Sequence, residues 1–229
     1  MIKIRETDPM EYQEGMEKID HSIMNKVLAM VDDYDYSIYT AADVRNVLAK
    51  ESIDAHDLGI LLSPAAEPML EQMAQRAKSE TAKHFGNTVC MFTPLYIANY
   101  CENYCVYCGF NCSNKIKRGK LTMEEIEEEY KTIAETGLRE ILLLTGESKT
   151  ASSVDYIADA VRLAKKYFST IGIEVYPMNS DEYAKLKEAG ADFVSVYQET
   201  YNPVKYEEVH LRGAKRVFPY RFNAQERAL

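Results

Sequence analysis

From Met91 onward the sequence alternates short apolar runs with longer amphipathic ones, and this alternation restricts the fold more than any other feature of the chain. Residues 91–97 read as an extended segment, where Pro94, with no N–H to donate, suits an irregular or edge position. Thr122 then opens an acidic helix, with Glu125 completing a capping box and Gly137 supplying the stop. The unbroken apolar run in Glu140–Thr145 suits a strand covered on both faces. A helix over residues 153–168, a strand over 171–176, a helix over Ser180–Ala189 and a strand over 193–197 follow. Strand and helix in strict turn, with short connections, predict an α/β fold of parallel βα units, closed as a barrel or open as a doubly wound sheet.

The preceding stretch, residues 8–85, has a helical pattern instead. Ile19, Ile23, Val27 and Met30, then Val44, Val47 and Leu48, recur at helix spacing, and Thr40 and Ser63-Pro64 suit helix starts. The expected organisation is a helical N-terminal extension over residues 1–85 followed by about four βα strands over residues 86–229.

In parallel βα folds the reactive groups gather at the C-terminal ends of the strands. Here Cys101, Cys105 and Cys108 follow the first strand, Thr145-Gly146-Glu147 the second, Pro177-Met178-Asn179 the third and Gln198-Glu199-Thr200 the fourth. All four segments are expected at one mouth. The cysteine spacing wraps a short loop around one metal centre but brings only three thiolates. Structural zinc wants four protein ligands and an ordinary cubane takes four cysteines, so one iron is left for another ligand. Counting Cys112 as a fourth thiolate gives the competing reading, a non-catalytic zinc module. Cys90 is expected to pack in the first strand, and the four histidines, which show no metal spacing, to be structural or at the surface.

A net charge of −9 disfavours nucleic acid and anionic membrane surfaces as partners. Five cysteines is an odd number, and the opening residues lack the apolar core of a secretory signal, which points to the reducing cytoplasm. The run Glu124 to Glu129 is most simply a solvated helix face, and the seventeen tyrosines are assigned to packing.

The loop Cys101-Glu102-Asn103-Tyr104-Cys105-Val106-Tyr107-Cys108 resembles that of the radical S-adenosylmethionine enzymes. Its surroundings, residues 92–96, Gly109-Phe110 and residues 113–118, are similar to those of the tyrosine lyases of thiamine thiazole biosynthesis. Residues 145–147, 174–177 and 196–201 continue the likeness. The resemblance implies a partial parallel βα barrel of the radical SAM type, a 4Fe-4S cluster on Cys101, Cys105 and Cys108, and S-adenosyl-L-methionine at the open iron. It implies cleavage of the Cα–Cβ bond of L-tyrosine to 2-iminoacetate and p-cresol, a thiazole synthase subunit as consumer, and a flavodoxin or ferredoxin as low-potential electron donor.

By the same resemblance Tyr107 lies beside the cluster, with its backbone near the adenine. Gly146 and Glu147 receive the cofactor's ammonium group, Glu199 its ribose or amino group, and Arg221 its carboxylate. No catalytic side chain is assigned. Asn179 is a weaker candidate, equally a helix cap. The second half of such a barrel is missing, so the chain is expected to be truncated and to cleave little tyrosine alone. The sister tyrosine lyase of hydrogenase cofactor assembly shares the loop and the substrate and is the nearest alternative.

Overall fold

The four expected strands pair side by side in a computed structural model of the chain, which describes residues 7–229. β1 (Phe92–Ala98), β3 (Glu140–Thr145), β4 (Thr170–Glu174) and β5 (Phe193–Ser195) form one parallel sheet in that spatial order, while β2 (Tyr104–Cys105) lies in the cysteine loop. The register aligns Thr93 with Ile141 and Ile171, and Leu95 with Leu143 and Ile173. Ile141, Leu142, Leu143 and Leu144 are all buried, as the unbroken apolar run requires. β1 is an edge strand, so Pro94 costs the sheet no ladder bond on its open side.

Helices α5 (Met123–Glu135), α6 (Val154–Ala164) and α7 (Ser180–Ala189) alternate with these strands. The capping box of α5 is present: Thr122 Oγ1 accepts from Glu125 N at 3.2 Å, and Glu125 accepts from Thr122 N at 2.8 Å. Gly137 and Gly190 take the positive φ values that let α5 and α7 end sharply. Ile126 and Tyr130 of α5 and Ile157 and Val161 of α6 are fully buried in one core with Ile141, Leu143 and Ile171. Burying each such side chain contributes about 1.5–3 kcal/mol.

After β5 the chain departs from the simple repeat. α8 (Pro203–Val209) leads into β6 (His210–Arg212), which runs antiparallel to β2 and so ties the cysteine loop to the far end of the chain. Short helices α9 (Phe218–Phe222) and α10 (Ala224–Ala228) follow, divided at Asn223.

The described residues divide into two compact units, one comprising those up to Met24 with Cys90–Leu229, the other Asn25–Val89. Residues 8–21 form no helix, contrary to the pattern reading. Their backbone groups are satisfied by the sheet unit instead: Pro9 O accepts from Phe218 N at 2.9 Å, and Glu17 N donates to Asn179 Oδ1 at 2.9 Å. α1 (Ser22–Asp32) leads into the second unit, which holds α2 (Ala41–Ala49), α3 (Ala55–Leu61), a 3-10 turn at Pro64–Met69 and α4 (Leu70–Phe85). Val44, Val47, Ile60, Ala66 and Met69 form its core. Thr40 caps α2 as expected. Among the described residues no helix is long and apolar enough to cross a membrane.

Candidate active site

β1 ends at Ala98, and the loop that follows is fixed from three sides before it reaches the mouth of the sheet. Gly146 N donates to Ala98 O at 2.9 Å and Glu102 N to Glu147 O at 3.0 Å, joining the loop to the end of β3. Val106 N donates to Val209 O at 3.0 Å, extending the ribbon with β6. Asn111, itself buried, donates from Nδ2 to the carbonyls of Cys108 and Cys105 at 2.9 and 3.3 Å. The three cysteines are thereby held in a turn whose interior faces one cavity.

That cavity, of about 270 Å³, is lined by Cys101, Cys105, Cys108, Tyr107, Gly146, Glu147, Glu199 and Arg221, all candidates from the sequence. Tyr96, Asn103, Phe110, Thr145, Glu174, Tyr197 and Lys215 complete much of the wall. Asn179 does not line it. Its backbone N–H goes to Glu182 at 2.9 Å at the start of α7, and its side chain bonds Gly15, Glu17 and Tyr220.

Glu147 and Arg221 form a buried ion pair, with Oε1 accepting from Nη1 at 2.6 Å and the side chains 13% and 4% exposed. Burial alone would push the Glu147 carboxyl up, but Arg221 and Lys215 outweigh it and hold the group below its usual range. Arg221 Nε also donates to Tyr197 O at 2.5 Å, so the guanidinium bridges the ends of β3 and β5. Glu147 Oε2 accepts from Asn103 Nδ2 at 2.7 Å. Glu147 is therefore set between a cation and an amide before any ligand arrives.

Gly146 has a packing role of its own. A Cβ there would lie 2.2 Å from Tyr100 O and 2.7 Å from its carbonyl carbon, so the glycine permits β3 to meet the cysteine loop. By the family resemblance Gly146 was expected to help receive a ligand's ammonium group. The contact shown is with the chain's own backbone.

Glu199 accepts from Lys215 Nζ at 2.6 Å and lies 3.5 Å from His210 Nε2. Burial opposes its charge, yet hydrogen bonds from His210 and Lys215 hold its carboxyl well below the usual range. His210 is fully buried. Its Nδ1 is 2.8 Å from Tyr206 O, which can only accept, so Nδ1 carries a proton, while Nε2 lies 2.7 Å from the Tyr107 hydroxyl and faces Glu199.

Asn103, His210 and Lys215 thus belong to the site though the sequence reading did not select them. His210 was expected to be structural or at the surface, and its burial is structural while its ring edge meets Tyr107. The available signal was positional. Asn103 lies between two cysteines, and Lys215 in the segment that must return to place Arg221 beside Glu147.

The donor set fits an iron–sulfur cluster with an ammonium- and carboxylate-bearing ligand. Burial raises the Cys101 thiol and pushes Cys105 up to about 12, so both are neutral until a metal displaces their protons. Thr145 Oγ1, buried and without a partner, adds a polar atom on a cavity-lining residue. Cys112 is exposed and lies outside this cavity. Among the described residues no three His, Cys, Asp or Glu groups converge on a point suited to a single metal ion. A cluster distributes its thiolates over several irons and does not need such convergence.

The sequence profile of the Radical SAM superfamily matches residues 95–221, more than half of the chain. The chain is 44% identical to the 2-iminoacetate synthase of Escherichia coli (strain K12) over 188 residues, 82% of this chain and 50% of that protein. Among solved structures it is similar to the hydrogenase maturase HydG, with a TM-score of 0.82 and 28% identity over 89% of this chain and 47% of the other. It is also similar to methylornithine synthase (PylB), with a TM-score of 0.61 and 30% identity over 90% and 55%. The chain spans about half the length of the curated relatives it matches.

Proposed function

The chain belongs to the radical SAM superfamily, and we propose that it carries the cofactor half of a tyrosine lyase that makes 2-iminoacetate for thiamine thiazole biosynthesis. The observation that supports this most is the single cavity uniting three thiols with the Glu147–Arg221 pair, in a chain 44% identical to a 2-iminoacetate synthase. When bound, a 4Fe-4S cluster with S-adenosyl-L-methionine on its thiolate-free iron supplies the 5′-deoxyadenosyl radical that opens L-tyrosine to 2-iminoacetate and p-cresol.

The chain's own residues bind, orient and shield. Cys101, Cys105 and Cys108 would hold the cluster, with Asn103 Nδ2 placed 3.7 Å from Cys101 Sγ and Phe110 N 3.4 Å from Cys108 Sγ as donors to sulfur. Glu147 is ionised and faces the cavity, so it would take the ammonium group, and Arg221 the carboxylate, its planar fork matching that group. Glu199, held ionised by Lys215, would receive hydroxyl or amino donors from the ligand. Tyr107 and Phe110 would cover the cluster. A thiazole synthase subunit would consume the product, a low-potential flavodoxin or ferredoxin would deliver electrons, and a reducing cytoplasm suits the exposed thiols of Cys90 and Cys112.

The test is anaerobic reconstitution with iron and sulfide, followed by S-adenosylmethionine, dithionite and labelled L-tyrosine. The 229-residue chain should form the cluster and release methionine and 5′-deoxyadenosine. A polypeptide extended past Leu229 to the length of the relatives should in addition release p-cresol, with little or none from the shorter chain. Cofactor cleavage without p-cresol from the extended protein would reject tyrosine as substrate. A colourless protein that takes up zinc and ignores S-adenosylmethionine would reject the whole reading.

A further inference from the structure

The cysteine loop has an outer side as well as an inner one. A second, more open groove of about 420 Å³ also reaches Cys101 and is walled by Tyr100, Glu102, Cys112, Arg118 and Ser148. The segment leaving this groove carries Lys115, Lys117, Arg118 and Lys120, four cations in six residues of a chain whose net charge is −9.

This basic segment is bonded directly to the cysteine loop. Arg118 donates from Nη1 to Asn99 O and Phe110 O at 2.7 and 2.9 Å and from Nη2 to Asn111 O at 2.8 Å. Asn114 Nδ2 donates to Gly109 O at 3.0 Å. Lys115, Lys117 and Lys120 are exposed, and none of these four cations joins an ion pair among the described residues. Lys120 lies over the Tyr156 ring at 4.1 Å. The one acid in the groove, Glu102, accepts from Ser148 Oγ at 2.5 Å. Half-exposed Tyr100, which lines the groove, and Ile116, within the basic segment, add apolar area to these charges.

We propose that this outer face docks an acidic one-electron carrier protein, with Lys115 and Lys117 steering it toward Cys101. The proposal rests on the cluster assignment made above. It follows from charge: a local cluster of unpaired cations on an otherwise acidic molecule focuses an attractive field for an acidic partner and repels a basic one. It follows also from geometry, because the groove, distinct from the cofactor cavity, is lined by Cys101 and so brings that partner to a cluster ligand. In the transfer one electron leaves the carrier and enters the cluster, and no bond of this chain forms or breaks.

The test uses the reconstituted 229-residue chain and purified flavodoxin hydroquinone as the probe, which becomes the semiquinone as the cluster is reduced. Stopped-flow absorbance follows the reaction at low and high salt. The double variant Lys115→Glu, Lys117→Glu should slow reduction by flavodoxin about tenfold or more at low salt and remove most of its salt dependence. Its reduction by dithionite should be unchanged. The same charge change at Lys131 and Lys187, on the outer helices α5 and α7, should have little effect on either. Equal rates in both double variants, or no reduction by flavodoxin at all, would overturn the docking surface while leaving the cluster assignment intact. Failure to build a cluster in the unsubstituted chain would instead strike the assignment itself.

Discussion

Replacing Gly146 by alanine isolates the contact on which the site geometry depends. The backbone at Gly146 does not take a positive φ, so the substitution adds no dihedral strain. The new methyl would lie 2.2 Å from Tyr100 O and 3.1 Å from Asn99 C, both parts of main chain that no rotamer change can move aside. To restore an ordinary contact, the cysteine loop and the end of β3 must separate by about 1 Å. That movement loosens two backbone bonds, Gly146 N to Ala98 O and Glu102 N to Glu147 O. Overpacking of this kind costs about 1–3 kcal/mol. At about 2–4 °C per kcal/mol for a chain of this size, the melting midpoint should fall by roughly 2–12 °C.

The functional cost should be larger than the structural one. A displacement of about 1 Å between Cys101 and Glu147 is enough to cost on the order of a hundredfold in a positioned reaction. The assay is thermal unfolding of the apo chain, paired with iron content and reductive cleavage of S-adenosylmethionine after reconstitution. Gly109→Ala provides the control, because a Cβ at Gly109 meets nothing within 4 Å although that residue adjoins Cys108. It should stay within about 0.5 kcal/mol of the parent. Equal behaviour of the two variants would refute the packing argument.

Arg221→Ala leaves Glu147 buried without its cation and should destabilise the chain by about 3–5 kcal/mol in urea titration, whereas replacing both members by neutral residues should cost less than the sum of the single changes. Asn103→Ala removes a donor to Cys101 Sγ and to Glu147, so the reduction potential of the reconstituted cluster, read by redox titration, should become more negative. Glu147 and Glu199 are both held below their unfolded values. Their contribution to stability is therefore complete above about pH 4.3 and is lost as pH falls through the folded values. Glu199→Gln should accordingly show a shallower acid unfolding limb than the parent. Cys112→Ser should keep its cluster, and Cys101→Ser should lose it, as judged by iron and sulfide content.

The elements built from local signals were legible in the sequence. The unbroken run in β3, the capping box at Thr122 and the stop at Gly137 are each satisfied within a few residues, so pattern alone locates them. Pro94 suggested an irregular or edge position, and β1 lies at the edge of its sheet. The convergence of Cys101, Cys105, Cys108, Glu147 and Glu199 was legible too, because each follows a parallel strand, whereas Arg221 came only from the family resemblance.

What escaped depends on partners far along the chain. β6 is three residues long and exists because β2 pairs with it, over a hundred residues away in sequence. Residues 8–21 carry some apolar residues at helix spacing, but Pro9, Gly15 and bonds to Phe218 and Asn179 decide their path. His210 and Lys215 have no motif of their own. They enter the site because β6 and the turn after it return the chain to Tyr107 and Glu199. Asn103 was in view but its bonds to Glu147 and to Lys215 N, which make it a junction of three segments, appear only in three dimensions.

The central claim is that one iron of a cluster bound by Cys101, Cys105 and Cys108 has no protein sulfur and accepts S-adenosylmethionine beside Glu147 and Arg221. Electron paramagnetic resonance of the reduced, reconstituted chain, recorded before and after adding S-adenosylmethionine, tests it most directly. The account predicts that the cluster signal shifts on addition, and that the shift persists in Cys112→Ser and weakens in Glu147→Gln. A signal indifferent to the cofactor, or a cluster that vanishes when Cys112 is replaced, would contradict it.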